Sequence, residues 1–217
     1  MFVDYPNEAE WKQGRKLYLT ASDATNYCGL NPYDENGMLR LWEEKTGLKD
    51  RPDIGGRPSV RFGKEAEEHL RALFLLMHPE FECRYDRYGL WVSDEHPFMG
   101  ATLDALLTHR DTGEVWIWEC KTGTVHKASD FEDWRNGEIP INYWCQECHQ
   151  MICVPEAKGV ITFAHIRREW EPNESHLFTV WNTRQGNESD ISAIEEKAVR
   201  MWDLIKTKTR PAVVMSI

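Results

Sequence analysis

The sequence predicts an α/β (α+β) fold, with a central mixed sheet that includes an antiparallel meander and helices packed against it. Two observations carry this expectation. Apolar residues recur at a helical period of about 3.6 residues over 60–77, 139–154 and 190–205. Between and after these stretches the pattern changes to short runs rich in β-branched and aromatic residues, separated by turn residues. The order is helices, three strands, a helix, two strands and a helix, which one sheet flanked by helices satisfies. With 217 residues, 41% of them hydrophobic, the chain can bury a full core without disulfides. We read it as a single domain with an N-terminal helical segment 1–60, a core 60–182 and a C-terminal helix 188–209.

In chain order, Thr20-Ala21-Ser22-Asp23 can cap a short helix that ends near Gly29, and Asn31-Pro32-Tyr33 follows as a turn. Residues 36–47 read as a helix burying Met38, Leu39, Leu41 and Trp42. The stretch 49–59 holds two prolines and paired glycines and reads as a loop. Over 60–77, Phe62, Ala66, Leu70, Leu73, Phe74 and Met77 fall on one stripe. Residues 83–91, 99–107 and 114–121 read as the three strands of the meander, with turns at 94–97 and 111–113. A helix over 139–154, strands at 159–165 and 176–181, and an amphipathic helix over 190–205 complete the chain.

Charge narrows the function. With 26 basic against 36 acidic residues, the net charge of −10 argues against passive coating of nucleic acid. Any DNA path must be a local basic one, and Arg15, Lys16, Arg51, Arg57, Arg61, Lys127 and Arg135 are available for it. The longest apolar run is the six residues 72–77, so no membrane span is expected. The mixed, acidic N-terminus and six cysteines predict no secretory signal and a reducing cytosol.

The third strand suggests chemistry. Side chains alternate along it, so Val115, Ile117, Glu119 and Lys121 share one face, and Trp116, Trp118 and Cys120 share the other. The preceding strand ends near Asp104. In a simple hairpin Asp104 need not lie beside Glu119, whereas a bent or splayed pair brings them together. Two carboxylates can hold a hard divalent cation, and a lysine beside them can orient a water or stabilise charge on phosphorus. The same residues also suit the solvated ends of an ordinary hairpin. Glu67 lies at the edge of the apolar stripe over 60–77, although Glu65, Glu67 and Glu68 also suit a solvated acidic face. Gln146 lies on the 139–154 helix between Cys145 and Cys148.

Over residues 11–154 the chain resembles the lambda-type (YqaJ-like) alkaline exonucleases of phage recombination systems, a branch of the PD-(D/E)xK nuclease superfamily. Trp11, Arg15 and Thr20-Ala21-Ser22 match the family's opening segment, followed by Gly29-Leu30-Asn31-Pro32-Tyr33. Gly63-x3-Glu67 matches its G-x3-E helix, Pro97-Phe98 through Asp104 the strand bearing the first acid, and Glu119-Cys120-Lys121 the E-x-K strand. Tyr143-x2-Gln146 matches the start of the Y-x2-Q-x-Q helix. Leu103 stands for the family's proline before the first acid and Ala105 for the glycine after it. Cys148 replaces the second glutamine, and the segment between Asp104 and Glu119 is longer, which we read as a longer hairpin.

The resemblance implies a restriction-endonuclease-like core and a magnesium-dependent (manganese substituting) 5′-to-3′ exonuclease. Its substrate would be linear double-stranded DNA with 5′-phosphorylated ends, and its product 3′ single strands for annealing-type recombination. It implies Asp104, Glu119 and the main-chain carbonyl of Cys120 as metal ligands, and Lys121 as the group that positions or activates water. Glu67 would act through a water or a second ion, and Gln146 would face the site. Arg15 and Ser22 would bind the 5′-phosphate, with Arg15 packed on Trp11 as the plain alternative, and Lys127 is a candidate DNA contact. It further implies a trimeric ring and a single-strand-annealing recombinase as partner. Cys145, Cys148 and Cys153, with Cys28, allow an iron–sulfur nuclease, and Cys145, Cys148 and His149 allow zinc. We expect no cluster, because Cys145 and Cys148 share the apolar side of their helix with Ile152. An endonuclease, or a non-catalytic interaction module on the same fold, would also accommodate these residues.

Overall fold

The computed structural model describes residues 1–212. Strand β1 (Phe2–Asp4), helix α1 (Glu8–Arg15), strand β2 (Leu19–Thr20), a 3-10 turn (Ala21–Asp23), and helices α2 (Ala24–Cys28) and α3 (Gly37–Lys45) lead to the long α4 (Pro58–Met77). Strands β3 (Phe81–Arg84), β4 (Gly89–Val92), β5 (Met99–Ala101), β6 (Ala105–His109) and β7 (Val115–Val125) follow. Helices α5 (Ala128–Arg135) and α6 (Ile141–Cys153) connect β7 to β8 (Ala157–Arg168), and β9 (Glu171–Thr183) and α7 (Glu188–Lys206) come last.

The central mixed sheet is present, in the order β3-β6-β7-β8-β9, with β7 and β8 parallel and the other pairs antiparallel. A single sheet does not account for all the strands, however. A second, four-stranded sheet runs β1-β4-β5-β2. The expected strands 83–91 and 99–107 each break, at 85–88 and at 102–104, and the two halves join different sheets. The first break is a turn closed by Gly89 N–H donating to the Asp86 carbonyl at 3.0 Å. Segment 1–60 is likewise not purely helical, since β1 and β2 both enter the small sheet.

Two helices lay outside the sequence expectation. Helix α1 buries little, so it has no apolar stripe to reveal it. Its signals are the Asn7 cap, which accepts from Glu10 N–H at 3.0 Å, and acidic residues in the first turn with basic ones in the last. Helix α5 is short and anchors through Phe131 and Trp134.

The alternation read along the third strand holds. Ile117 and Val160 pack into the main core with α2, α3, α6 and α7. Trp116, Trp118, Ile161 and Phe163 face the other way, beneath Leu70 and Phe74 of α4. Phe62 and Met77, near the ends of the α4 stripe, are exposed. The Thr20/Asp23 capping box opens the short helical segment, and Gly29 ends it at φ 69°, where a Cβ would be strained. Among the described residues, no helix is long and apolar enough to cross a membrane.

Candidate active site

Antiparallel pairing of β6 with β7 sets Ala105 opposite Trp118. Asp104, one residue before β6, therefore stands beside Glu119 and Cys120, and its Oδ2 accepts the Cys120 N–H at 2.8 Å. The chain break at 102–104 achieves this, because Asp104 heads a new strand and does not end the old one. Of the two arrangements the sequence left open, the bent one is present.

Glu119 is buried and held from several sides. Its Oε1 accepts Lys121 Nζ at 2.6 Å and Gln146 Nε2 at 2.6 Å, and its Oε2 accepts Gln150 Nε2 at 2.6 Å. Lys121 also donates to Gln146 Oε1 at 2.9 Å, and its ammonium lies 4.6 Å from the Tyr143 ring centroid. Tyr143, Gln146 and Gln150 fall on one face of α6, at spacings of three and four residues. Sequence reasoning missed Gln150. The readable signal was its position one helical turn beyond Gln146. Cys148, only two residues on from Gln146, points away and is buried in the main core with Cys145.

Glu67 comes from the opposite side of the sheet. A Cβ at Gly63 would sit 3.1 Å from Thr122 Oγ1, so the glycine lets α4 lie close on β7, and Glu67 follows one turn later. Glu67 is half-buried, while Glu65 and Glu68 are exposed. Its Oε1 accepts Arg71 Nη1 at 3.0 Å, and the same Nη1 donates to the Asp104 carbonyl at 3.0 Å. Arg71, stacked 3.8 Å from the Tyr85 ring centroid, was also missed. Gly63, Glu67, Asp104, Glu119, Lys121 and Thr122 line one open cleft of about 310 Å³.

The charges in this cleft do not balance. Burial, then the nearby Glu119 and Glu67, push the Asp104 carboxyl well above its usual range. Burial also raises Glu67, against the pull of Arg71. Burial alone would lower Lys121, but Glu119 outweighs it and keeps the ammonium charged. Crowded carboxylates with an all-oxygen donor set are what a hard divalent cation neutralises, so the residues fit such an ion. Another group, Glu95, His96 and Glu195, brings its ligand atoms within 4.8 Å of one another, and His96 Nε2 is already paired with Glu195 Oε1 at 2.6 Å.

A second cleft, of about 430 Å³, lies elsewhere and carries Lys12, Arg15, Lys16, Lys45, Lys49 and Arg51. Buried Asp23 organises it. This carboxylate pairs with Lys45 at 3.1 Å, with the Arg51 guanidinium and with the Thr20 N–H at 2.9 Å. Although burial opposes it, these partners hold Asp23 far below the usual carboxylate range. Lys12 and Lys49 are paired with Glu8 and Glu43. Arg15 and Lys16 have no acidic partner among the described residues. The Arg15 guanidinium lies 4.5 Å from the Trp11 ring centroid, and its buried Nε has no hydrogen-bond partner. Ser22 is exposed and within 3.1 Å of the Thr20 hydroxyl, but does not line the cleft. Lys127 is exposed at the start of α5 and contacts none of the Asp104 cluster.

The family model for the YqaJ-like viral recombinase domain matches residues 10–158. No curated protein matches the chain. Among solved structures, the chain is similar to an alkaline exonuclease, LHK-Exo, from Laribacter hongkongensis. That likeness has 17% identity and a TM-score of 0.64, and covers 93% of this chain and 94% of that one. LHK-Exo in complex with dAMP is matched at 16% identity and a TM-score of 0.63, over the same shares of the two chains. At these identities the likeness is one of fold.

Proposed function

The chain belongs to the YqaJ-like viral recombinase domain family, and on that footing we propose that it is a magnesium-dependent deoxyribonuclease. It degrades one strand of linear duplex DNA from 5′ to 3′ and leaves a 3′-ended single strand for recombination by annealing. The observation that carries this reading is the convergence of Asp104, Glu119, Lys121 and Glu67 in one cleft, from three separate elements. A solvated hairpin end would need no lysine held between a carboxylate and the Gln146 amide.

Asp104, Glu119 and the Cys120 carbonyl would hold the ion, with Glu67 acting through a water or a second ion. When bound, such an ion supplies Lewis-acid activation of water and offsets negative charge on phosphate. Lys121, kept protonated by Glu119, provides a fixed positive charge beside the phosphorus under attack. Gln146 holds both Lys121 and Glu119 in register. The dAMP bound by LHK-Exo is the kind of mononucleotide such a reaction releases.

The basic cleft supports the direction. Arg15 offers donors with no acidic partner, and a terminal phosphate carries more charge than an internal phosphodiester. Ser22, whose hydroxyl lies 3.1 Å from that of the cleft residue Thr20, would add a second hydroxyl. A trimeric ring, with basic residues turned to a shared channel, reconciles DNA retention with the net charge of −10. The reading also includes a single-strand-annealing partner and a place in the cytosol of a bacterium or phage-infected host.

The test is degradation of end-labelled linear duplex with and without magnesium. Asp104→Ala, Glu119→Ala and Lys121→Ala should each lower the rate at least about a hundredfold while the circular dichroism spectrum is kept. Near wild-type rates in any of the three would remove this site assignment. Cleavage of covalently closed circles would remove the exonuclease reading.

A further inference from the structure

Gln150 is fully buried, yet it presents an amide where an apolar side chain would fit the core. Its Nε2 donates to Glu119 Oε2 at 2.6 Å. Its own Oε1 is buried with no partner among the described residues, a defect that destabilises the fold. Turning the amide over would set that oxygen against a carboxylate, so the orientation is forced by Glu119. A residue serving stability alone would be a leucine or methionine here. The polar atom is present for what its other end holds.

What it holds is a carboxylate with little intrinsic rotational preference, because the last torsion of a glutamate is broad. Lys121 and Gln146 both bond Oε1, which fixes one oxygen but leaves the plane of the group free to turn about it. Gln150 removes that freedom. Of about four lone-pair sites on a carboxylate, three are then filled, and the one left is on Oε2.

We propose that Gln150 is a positioning residue that locks the rotation of the Glu119 carboxylate, so that its one uncommitted lone pair keeps a single direction. In this chain the second amide on α6 lies one turn beyond Gln146, on the same face, and Cys148 is released to the core. The proposal rests on the reading of Glu119 as a ligand for a divalent ion.

The experiment is isothermal titration calorimetry of the full chain with manganese or magnesium alone, alongside the metal dependence of duplex degradation. Gln150→Met should weaken metal binding by roughly 10–100-fold and raise the half-saturating metal concentration equally. KM for DNA should stay unchanged, and excess metal should restore most of the rate. The melting temperature should move by only a few degrees, because the orphan oxygen leaves with the lost hydrogen bond. Gln150→Asn keeps an amide but withdraws it from reach, so it should show the same loss of metal affinity. Unchanged metal affinity in either folded variant would overturn the proposal. A large drop in melting temperature with normal metal binding would do the same, by assigning Gln150 to stability. An unmodified chain that binds neither ion and degrades no DNA would instead remove the parent reading, and the role of Gln150 with it.

Discussion

Glu147 shows how far a single residue can depart from its solution behaviour. It is fully buried between α6 and the central sheet, where it accepts the Thr162 hydroxyl and, at 2.7 Å, Asn182 Nδ2. Burial pushes its pKa up to about 7 from an ordinary 4.5, against the pull of these two donors. Below pH 4.5 the group is protonated in both folded and unfolded chains and has no effect on the balance. Between there and pH 7 the unfolded chain loses a proton that the folded chain keeps, so stability falls as pH rises. Above pH 7 the deficit is constant at a few kcal/mol, since a tenfold change in a proton equilibrium is worth about 1.4 kcal/mol. Glu147→Gln should therefore raise the melting temperature at pH 8 and change it little at pH 4, as measured by calorimetry at the two pH values. Arg15 supports a second prediction at this scale. Losing a charge-assisted contact costs about 1.5–3 kcal/mol, so Arg15→Ala should slow 5′-phosphorylated ends by tens of fold. Ends carrying a 5′-hydroxyl should be affected far less, which paired rate measurements on the two substrates will show.

At the scale of elements, α6 and the β8–β9 pair matter most. Helix α6 turns its Tyr143, Gln146 and Gln150 face to Lys121 and Glu119, and buries His149 among the small sheet and α2. There His149 Nε2 donates to the Gly100 carbonyl at 3.1 Å and Nδ1 accepts the Tyr27 hydroxyl at 2.8 Å. Burial lowers this imidazole to about 4, so it is a neutral bolt tying α6 to the small sheet and to α2 at working pH. Both ring nitrogens are occupied, so His149 has none to offer zinc beside Cys145 and Cys148. On the other side, β8 and β9 approach so closely at Gly159 that an added Cβ would fall 2.1 Å from the Asn182 carbonyl oxygen. Backbone cannot yield there as a flexible side chain would. Gly159→Ala should destabilise the chain by roughly 3 kcal/mol in urea unfolding. It should also disturb Glu147, since Asn182 is its hydrogen-bond partner.

For the whole molecule, the charge of −10 is the governing quantity. Several cations of the basic cleft are paired with acids, which limits the free positive charge that one copy presents there. The proposed ring would gather the cations of several copies at one shared channel, while the negative charge that each copy adds stays on the outside. Light scattering at working concentration should give three times the mass of one chain. A clean single-chain mass together with processive degradation would remove the ring. Raising salt from about 50 to about 200 mM should weaken DNA retention steeply if the ring forms, because the slope grows with the number of phosphate contacts that the copies add together.

The sequence by itself determined the long helices, the change from helical to strand period, and which face of β7 each side chain takes. Those properties are local: an apolar repeat or an alternation is written in neighbouring residues. The edge of the apolar stripe also marked Glu67, while Gly63 was marked only by the resemblance to a known family. Only the tertiary structure decided the rest. The breaks at 85–88 and 102–104 divide the strands between two sheets, and no local pattern distinguishes a bend within one sheet from a passage into another. The second break is what places Asp104 against Glu119, across a pairing that depends on register rather than on composition. Arg71, Gln150 and Asp23 gain their meaning from groups brought near them by packing. Their side chains read as ordinary helix and turn residues until burial removes water and leaves them facing charged neighbours.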